Sequence, residues 1–420
     1  MKPFGKKLTG AMLVFAMTAG LAGCGSGSGA QDTTESSESS STGTSASGEF
    51  DENSKETEKK VKQIESLIDK YFYFEEDAEK REESYYDGIM AGLDDPYSVY
   101  YTPEEFERLQ EDDGGEYVGI GATVSKDVDK GTVYVVKPLR GSPAEAAGLT
   151  TGDVFVQIDD IEVTADMELD EVVKYIRGKE GTTAHLKMYR EGEPDYLEID
   201  INRQKIQNIT VDYEMLENDI GYISVDQFIE NTPEQFKEGM DYLVNNGAKG
   251  IVIDMRNNPG GLLTAVNEMT DYILKDDAVA PGASSPGLQL ETKDKDGKVI
   301  ESYSCEDGHS IDLPMVVLVN GYSASAAEIF TGDMKDYGVA TIIGTTTYGK
   351  GIVQSVIPLS DGSAIKITIA KYFTPSGNDI HKVGIEPDIE IDVSDEQKRM
   401  ANIPHDEDPQ LKKALEVLEK

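Results

Sequence analysis

From residue 207 to about 395, short apolar runs alternate with amphipathic stretches. Apolar runs bounded by turn residues predict buried strands, and apolar residues spaced three and four apart predict helices. Ile220–Phe228 predicts a strand. Thr232-Pro233-Glu234-Gln235 then opens a helix to about Asn246, with Gly247 as its stop. Ile251–Met255 is a second strand. It runs through Arg256-Asn257-Asn258-Pro259-Gly260-Gly261 into a helix over Leu262–Leu274. Met315–Val319 is a third buried strand, followed by a turn at Asn320–Gly321. A helix comes next, with Ala326, Ile329, Phe330 and Met334 on one side. Val339–Gly344 is a strand, and Ile352–Leu359 and Ala364–Phe373 flank an Asp361-Gly362 hairpin turn. Residues 276–310 are polar and read as a long loop or hairpin, and residues 408–420 as a short amphipathic helix.

Earlier in the chain the pattern changes. Residues 1–23 carry Lys2, Lys6 and Lys7, an apolar run and then small residues, the layout of a signal peptide. Residues 24–55 are Ser, Thr, Gly and acidic residues that cannot bury a core, so a disordered tether is expected. Residues 56–113 predict helices: Val61, Ile64, Ile68 and Tyr71 recur at helical spacing, and Ser84–Leu93 forms a second segment. Thr102-Pro103-Glu104-Glu105 has the form of a capping box. Residues 114–204 read as a separate module, with a Gly-hinged strand at 117–124, a helix at 168–177 and strands at 184–190 and 196–203. Residues 205–395 form the strand–helix core, and 396–420 a tail. The fold class is therefore α+β to α/β, in several domains.

Composition narrows the function. Asp and Glu number 80 against 39 Lys and Arg, a net charge of −41. That sets nucleic acid aside as a partner, since phosphate binding needs a basic face. Acidic pairs such as Asp94-Asp95 and Asp159-Asp160 are expected to face water. The chain shows no His or Cys at metal-ligand spacing, and neither metal nor cofactor is expected. The two cysteines are Cys24 and Cys305. Cys305 reads as an inert loop residue.

The chemistry centres on Ser325, placed where a strand turns sharply into a helix N-terminus. The first N–H groups of a helix have no partner within it. A serine there has an oxyanion binder beside it. A nucleophilic serine needs a base, and none of the four histidines lies in a comparable loop. Lys350, between Gly349 and Gly351, is the candidate. To act as base its pKa must fall from about 10.4 toward ~7, roughly 4–5 kcal/mol of differential solvation. Ser323 is a rival nucleophile on local pattern. A nucleotide site is another rival, because Gly344 to Lys350 matches part of a P-loop. There Gly351 stands where the metal-binding hydroxyl belongs, and a strand follows where a helix is required.

VNGYSASAAEI and GKGIVQ resemble the C-terminal processing, or tail-specific, serine peptidases, whose nucleophile and lysine lie 25 residues apart with a glutamine four further on, as Ser325, Lys350 and Gln354 do. The resemblance covers about residues 56–395. It implies a Ser325–Lys350 dyad, with Gln354 orienting the lysine by a hydrogen bond. It implies an oxyanion hole from Ala326 and either Gly260 or Gly261. GSPAEAAGLTTGD at 141–153 resembles a PDZ domain, with Gly119, Ile120, Gly121 and Ala122 as the loop that holds a peptide carboxylate. Leu21-Ala22-Gly23-Cys24 resembles a bacterial lipobox, implying cleavage before Cys24 and lipidation of its sulfur. The expectation is a membrane-anchored, extracytoplasmic endopeptidase acting on proteins with free C-terminal tails; the resemblance also implies N-terminal helices that pack on the core or make homodimer contacts. The alternative is an inactive PDZ surface protein that binds polypeptide C-termini.

Overall fold

The computed structural model describes residues 55–128, 130–139, 141–400 and 403–419. The expected signal peptide, Cys24 and all of the expected tether except Lys55 lie outside them. The chain divides into two units at Glu75/Glu76. In the first, a helix spans Lys55–Tyr71, and Phe72, Tyr73 and Phe74 follow as an edge-to-face aromatic cluster.

The second unit holds the rest. Its main sheet has six strands in the order Val211–Met215, Ile220–Val225, Gly250–Asp254, Met315–Val319, Ala340–Gly344 and Ile389–Glu390. The first pair is antiparallel and the others are parallel. Side chains alternate between faces along a strand. So Met315, Val317 and Val319 pack with Ile251 and Ile253 against the helices Thr232–Asn245, Leu263–Ile273 and Ala326–Asp336. Val316 and Leu318 face the other way, with Val252 and Ile343, and meet Leu411 and Ala414 of the Pro409–Leu418 helix. Burial on both faces explains why Met315–Val319 is apolar at every position.

A second, antiparallel sheet joins Val99–Tyr101, Ala364–Phe373, Leu288–Lys293 and Val299–Ser304, with Ile352–Pro358 paired to Ala364–Phe373. One feature differs from expectation: the 56–113 stretch is not purely helical, since Val99–Tyr101 enters this sheet. Of the two readings of 276–310, the hairpin is the one that forms, between Leu288–Lys293 and Val299–Ser304. Thr102 and Glu105 form the expected capping box on the Pro103–Asp113 helix.

The 114–204 module folds around its own core, which includes Phe155, Ile158, Val172, Leu186 and Met188. Its five-stranded path runs Ala122–Asp127, Thr132–Pro138, Val154–Ile158, Thr183–Tyr189 and Leu197–Asn202. Its entry and exit strands, Glu116–Gly119 and Gln204–Gln207, pair with each other. Asp159 is not simply solvated. It accepts from the His185 N–H at 2.9 Å and from Arg203 at 2.9 Å, which ties a turn to the exit strand.

One buried ion cluster joins the C-terminal helix to the Arg256–Gly261 loop. Arg256 forks onto Asp254, with Nε 2.9 Å from Oδ1, and lies 2.7 Å from Asp408, the N-cap of the Pro409–Leu418 helix. The Tyr222 hydroxyl donates to Asp254 at 2.8 Å. Removing one partner of such a cluster strands the others as buried charges. We expect Arg256→Ala to lower stability by about 3–5 kcal/mol. Urea denaturation monitored by circular dichroism measures the loss.

Candidate active site

Ser325 stands at the N-terminus of the Ala326–Asp336 helix with φ 55° and ψ −116°. A non-glycine residue in that region is strained, and such strain persists only where the surroundings hold it. Here the holding contacts come from the preceding loop. Asn257 and Asn320 exchange hydrogen bonds, with the Asn257 N–H donating at 3.0 Å and the Asn320 amide at 2.9 Å. The Ala324 N–H donates to the Asn258 carbonyl at 2.9 Å. Ser323 belongs to the same scaffold: it is fully buried and its hydroxyl donates to the Met255 carbonyl at 2.7 Å. Ser325 is half-buried, and among the described residues its hydroxyl donates no hydrogen bond, whereas that of Ser323 is spent on Met255.

Gly260 lies directly against Ser325. A Cβ there would sit 2.7 Å from Ser325 Cβ and 2.9 Å from the Ala326 nitrogen, so only glycine fits. Its N–H donates to Asn258 Oδ1 at 2.8 Å and is used up. Among the described residues, the N–H groups of Gly261 and Ala326 make no hydrogen bond.

Lys350 arrives from a different element, the loop between Ala340–Gly344 and Ile352–Pro358. Its flanking glycines are dictated by close approach. A Cβ on Gly349 would lie 3.0 Å from the Gly384 nitrogen, and one on Gly351 would lie 2.7 Å from the His381 nitrogen. Two buried groups fasten this loop to the serine turn. Glu328, fully buried, accepts from the Ser325 N–H at 2.9 Å and the Lys350 N–H at 2.8 Å. It also accepts from the Gly349 N–H at 2.7 Å and the Thr347 hydroxyl at 2.6 Å. The Tyr372 hydroxyl spans the same two segments, 3.0 Å from the Ser325 carbonyl and 2.7 Å from that of Lys350. Tyr372 lies outside the motifs; Glu328 is the Glu of VNGYSASAAEI, but its bonds to the lysine loop do not follow from the spacing. Ser325-Ala326-Ala327-Glu328 does carry the Ser-x-x-Glu form of a capping box, so Glu328 was open to discovery.

Burial pulls the Lys350 amine below its ordinary range. Lys366 adds to the effect, while Asp95 and Glu328 oppose it. Its Nζ lies 4.6 Å from the centroid of the Tyr97 ring, and among the described residues no hydrogen bond joins it to the Ser325 hydroxyl. Gln354 does not reach Lys350 either. Its Nε2 donates to Thr368 Oγ1 at 3.2 Å, and Thr368 donates to Asp95 at 2.7 Å. Asp95 is therefore not a water-facing acid. Burial works against its ionised form, but hydrogen bonds from Ser98, Thr368 and Tyr97 hold its carboxyl below the ordinary range.

Residues 219–391 match the model of "Peptidase family S41", 117–201 that of a PDZ domain, and 9–105 that of the "Activating protease CtpB N-terminal domain". A "Probable CtpA-like serine protease" of Staphylococcus haemolyticus is 38% identical over 357 residues, covering 84% of this chain and 69% of that protein. The chain belongs to peptidase family S41. A Staphylococcus aureus relative of the same description is 36% identical, over 80% of this chain and 64% of its own length. The crystal structure of a "Putative S41 protease from Bacteroides fragilis" has the same fold, with a TM-score of 0.52 at 17% identity over 85% of this chain and 97% of that one.

This S41 serine-type peptidase thus combines a mixed-sheet core with an inserted PDZ domain. In the PDZ domain, Gly119 ends the entry strand, and Ile120 and Gly121 form the bend before Ala122. The N–H groups of Ile120 and Gly121 make no hydrogen bond among the described residues, while their carbonyls accept from Ala144 and Leu139. The Ala122–Asp127 edge strand and the Leu169–Ile176 helix, through Val173 and Ile176, line a groove of about 760 Å³. Cys305 is buried, and burial, then Asp271, Asp333 and Asp276, push its thiol up, so it is unreactive. Asp271, Asp276 and Asp307 bring carboxylate oxygens within 4.8 Å of one another at the surface. Asp271 there accepts from the Glu306 N–H at 2.9 Å.

Proposed function

We propose that this S41 peptidase is a lipid-anchored, extracytoplasmic endopeptidase working through a Ser325–Lys350 dyad. The observation that carries this reading is the shared clamp: one buried carboxylate and one buried phenol fix both the serine turn and the lysine loop. Ser325 Oγ attacks the scissile carbonyl and passes its proton to the neutral Lys350 amine. Collapse of the tetrahedral intermediate breaks the peptide bond, and Lys350 returns the proton to the leaving amine. Water then hydrolyses the ester by the same route. Ala326 supplies one oxyanion N–H. Gly261 supplies the other in preference to Gly260, whose N–H is already spent on Asn258.

The PDZ groove receives the C-terminal tail of a protein substrate. A peptide adds as a strand to the open edge at Ala122–Asp127, and its carboxylate meets the Gly119–Ala122 loop. Lipidation at Cys24 tethers the enzyme to the outer face of the cell membrane. Pairing of two copies through the N-terminal helices belongs to the same proposal, and sedimentation reads it out.

The sign of the pH dependence follows from the base. Only the neutral amine accepts a proton, and a lowered Lys350 pKa brings that form in at lower pH. The rate on an unfolded protein should rise through a single ionisation well below pH ~10, the free-lysine value. A kcat/KM profile that stays flat across that range, with chemistry rate-limiting in single-turnover measurements, would count against Lys350 as base.

A further inference from the structure

This inference rests on the Ser325–Lys350 reading and concerns what holds Lys350 at rest. Its Nζ lies over the face of Tyr97, 4.6 Å from the ring centroid. A ring face attracts an ammonium group and has no comparable attraction for a neutral amine.

Tyr97 is firmly placed. Its N–H donates to Asp95 Oδ1 at 3.1 Å. Asp95 Oδ2 in turn accepts from the Ser98 hydroxyl at 2.6 Å and the Thr368 hydroxyl at 2.7 Å. The Thr368 N–H donates to Ser98 Oγ at 3.1 Å, so the 95–98 turn is pinned to the strand beside Gln354. The Tyr97 hydroxyl reaches the Tyr348 hydroxyl at 3.4 Å, on the loop that carries Lys350. Burial, helped by that contact, pushes the Tyr97 phenol up to about 12, so the ring stays neutral. The other charged or titratable groups around Lys350 are Lys366 from the second sheet, Asp95 from the turn and Glu328 from the helix. Tyr348 lies on its own loop, and His381 is packed on Gly351.

We propose that Tyr97 is a positioning residue for the general base. Its ring holds the ammonium form of Lys350 off the Ser325 hydroxyl and lets go of the neutral amine. The ring thereby sets the pH at which the base becomes available. Two opposing effects separate in substitutions. Leucine keeps apolar cover but removes the ring's attraction for the cation. Alanine removes both and admits water.

The test is a 13C NMR titration of the lysine Cε signals in the full chain carrying Ser325→Ala, with Lys350→Arg identifying the Lys350 signal. Tyr97→Phe should keep the Lys350 midpoint. Tyr97→Leu should lower it by about half a pH unit, the worth of an ordinary cation–π contact. Tyr97→Ala should raise it, as water favours the charged form. In chains with Ser325 intact, the acid limb of kcat/KM should move the same way. Leu and Ala shifts of the same sign, or no shift in either, would overturn the proposal. Full turnover by Lys350→Ala, with the NMR shifts as stated, would instead sink the dyad and leave the Tyr97 contact standing.

Discussion

Ser325→Ala and Lys350→Ala should each lower turnover of an unfolded protein substrate by about 10⁴-fold or more, the scale seen when one member of a nucleophile–base unit is removed. The double variant should be little worse than either single one, because the two act as a unit. Ser323→Ala gives a contrasting result. It removes a buried hydroxyl that donates to the Met255 carbonyl at 2.7 Å, so its cost falls on stability. Single-turnover kinetics well below the unfolding temperature keep the two effects apart. Near-native turnover by either dyad variant would end the assignment.

Glu328→Ala carries the second large effect. Four donors converge on this carboxylate: the N–H groups of Ser325, Gly349 and Lys350 and the hydroxyl of Thr347. Each buried donor left without an acceptor costs about 1–3 kcal/mol. For four such donors a loss of at least about 4 kcal/mol in stability is expected. Activity should fall further than stability explains. With the clamp gone, the strained Ser325 backbone relaxes and the lysine loop drifts, and a misplacement of about 1 Å costs ~10²-fold in rate. Because Glu328 is fully buried and touches no substrate, kcat should drop with KM nearly unchanged. Glu328→Gln should be milder. The Thr347 hydroxyl can turn to accept from the new amide, which leaves one backbone N–H facing a donor. Equal effects of Ala and Gln on kcat would contradict the clamp.

Much of this site was legible in the sequence, for a physical reason. An oxyanion binder beside a nucleophile needs a strand, a sharp turn and a helix N-terminus in succession, and that order is written in local hydrophobicity. The apolar run Met315–Val319, the Asn320–Gly321 turn and the helical face after Ser325 carry it directly. The half-buried lysine is legible too, because the glycines on either side of it, which the 381–384 loop requires, mark its loop in the sequence.

The missing parts are contacts between residues far apart in the chain. Tyr372 bonds to the Ser325 carbonyl across 47 positions, and the Tyr97–Tyr348 contact spans 251. No periodicity encodes either. Gln354 shows the opposite failure. Its spacing from Lys350 suggested a partner, but on a strand paired with Ala364–Phe373 its amide finds Thr368 first. The strand Val99–Tyr101 was hidden inside a helical stretch for the same reason. Three residues carry too little pattern to announce a strand that exists only through its pairing with Ala364–Lys366.

Reaction of the intact chain with a fluorophosphonate, followed by peptide mass spectrometry, puts the central claim to its most direct test. The phosphonyl adduct should form on Ser325 alone and should form far more slowly in Lys350→Ala. An adduct on Ser323, or labelling of Ser325 at an unchanged rate without the lysine, would contradict the dyad.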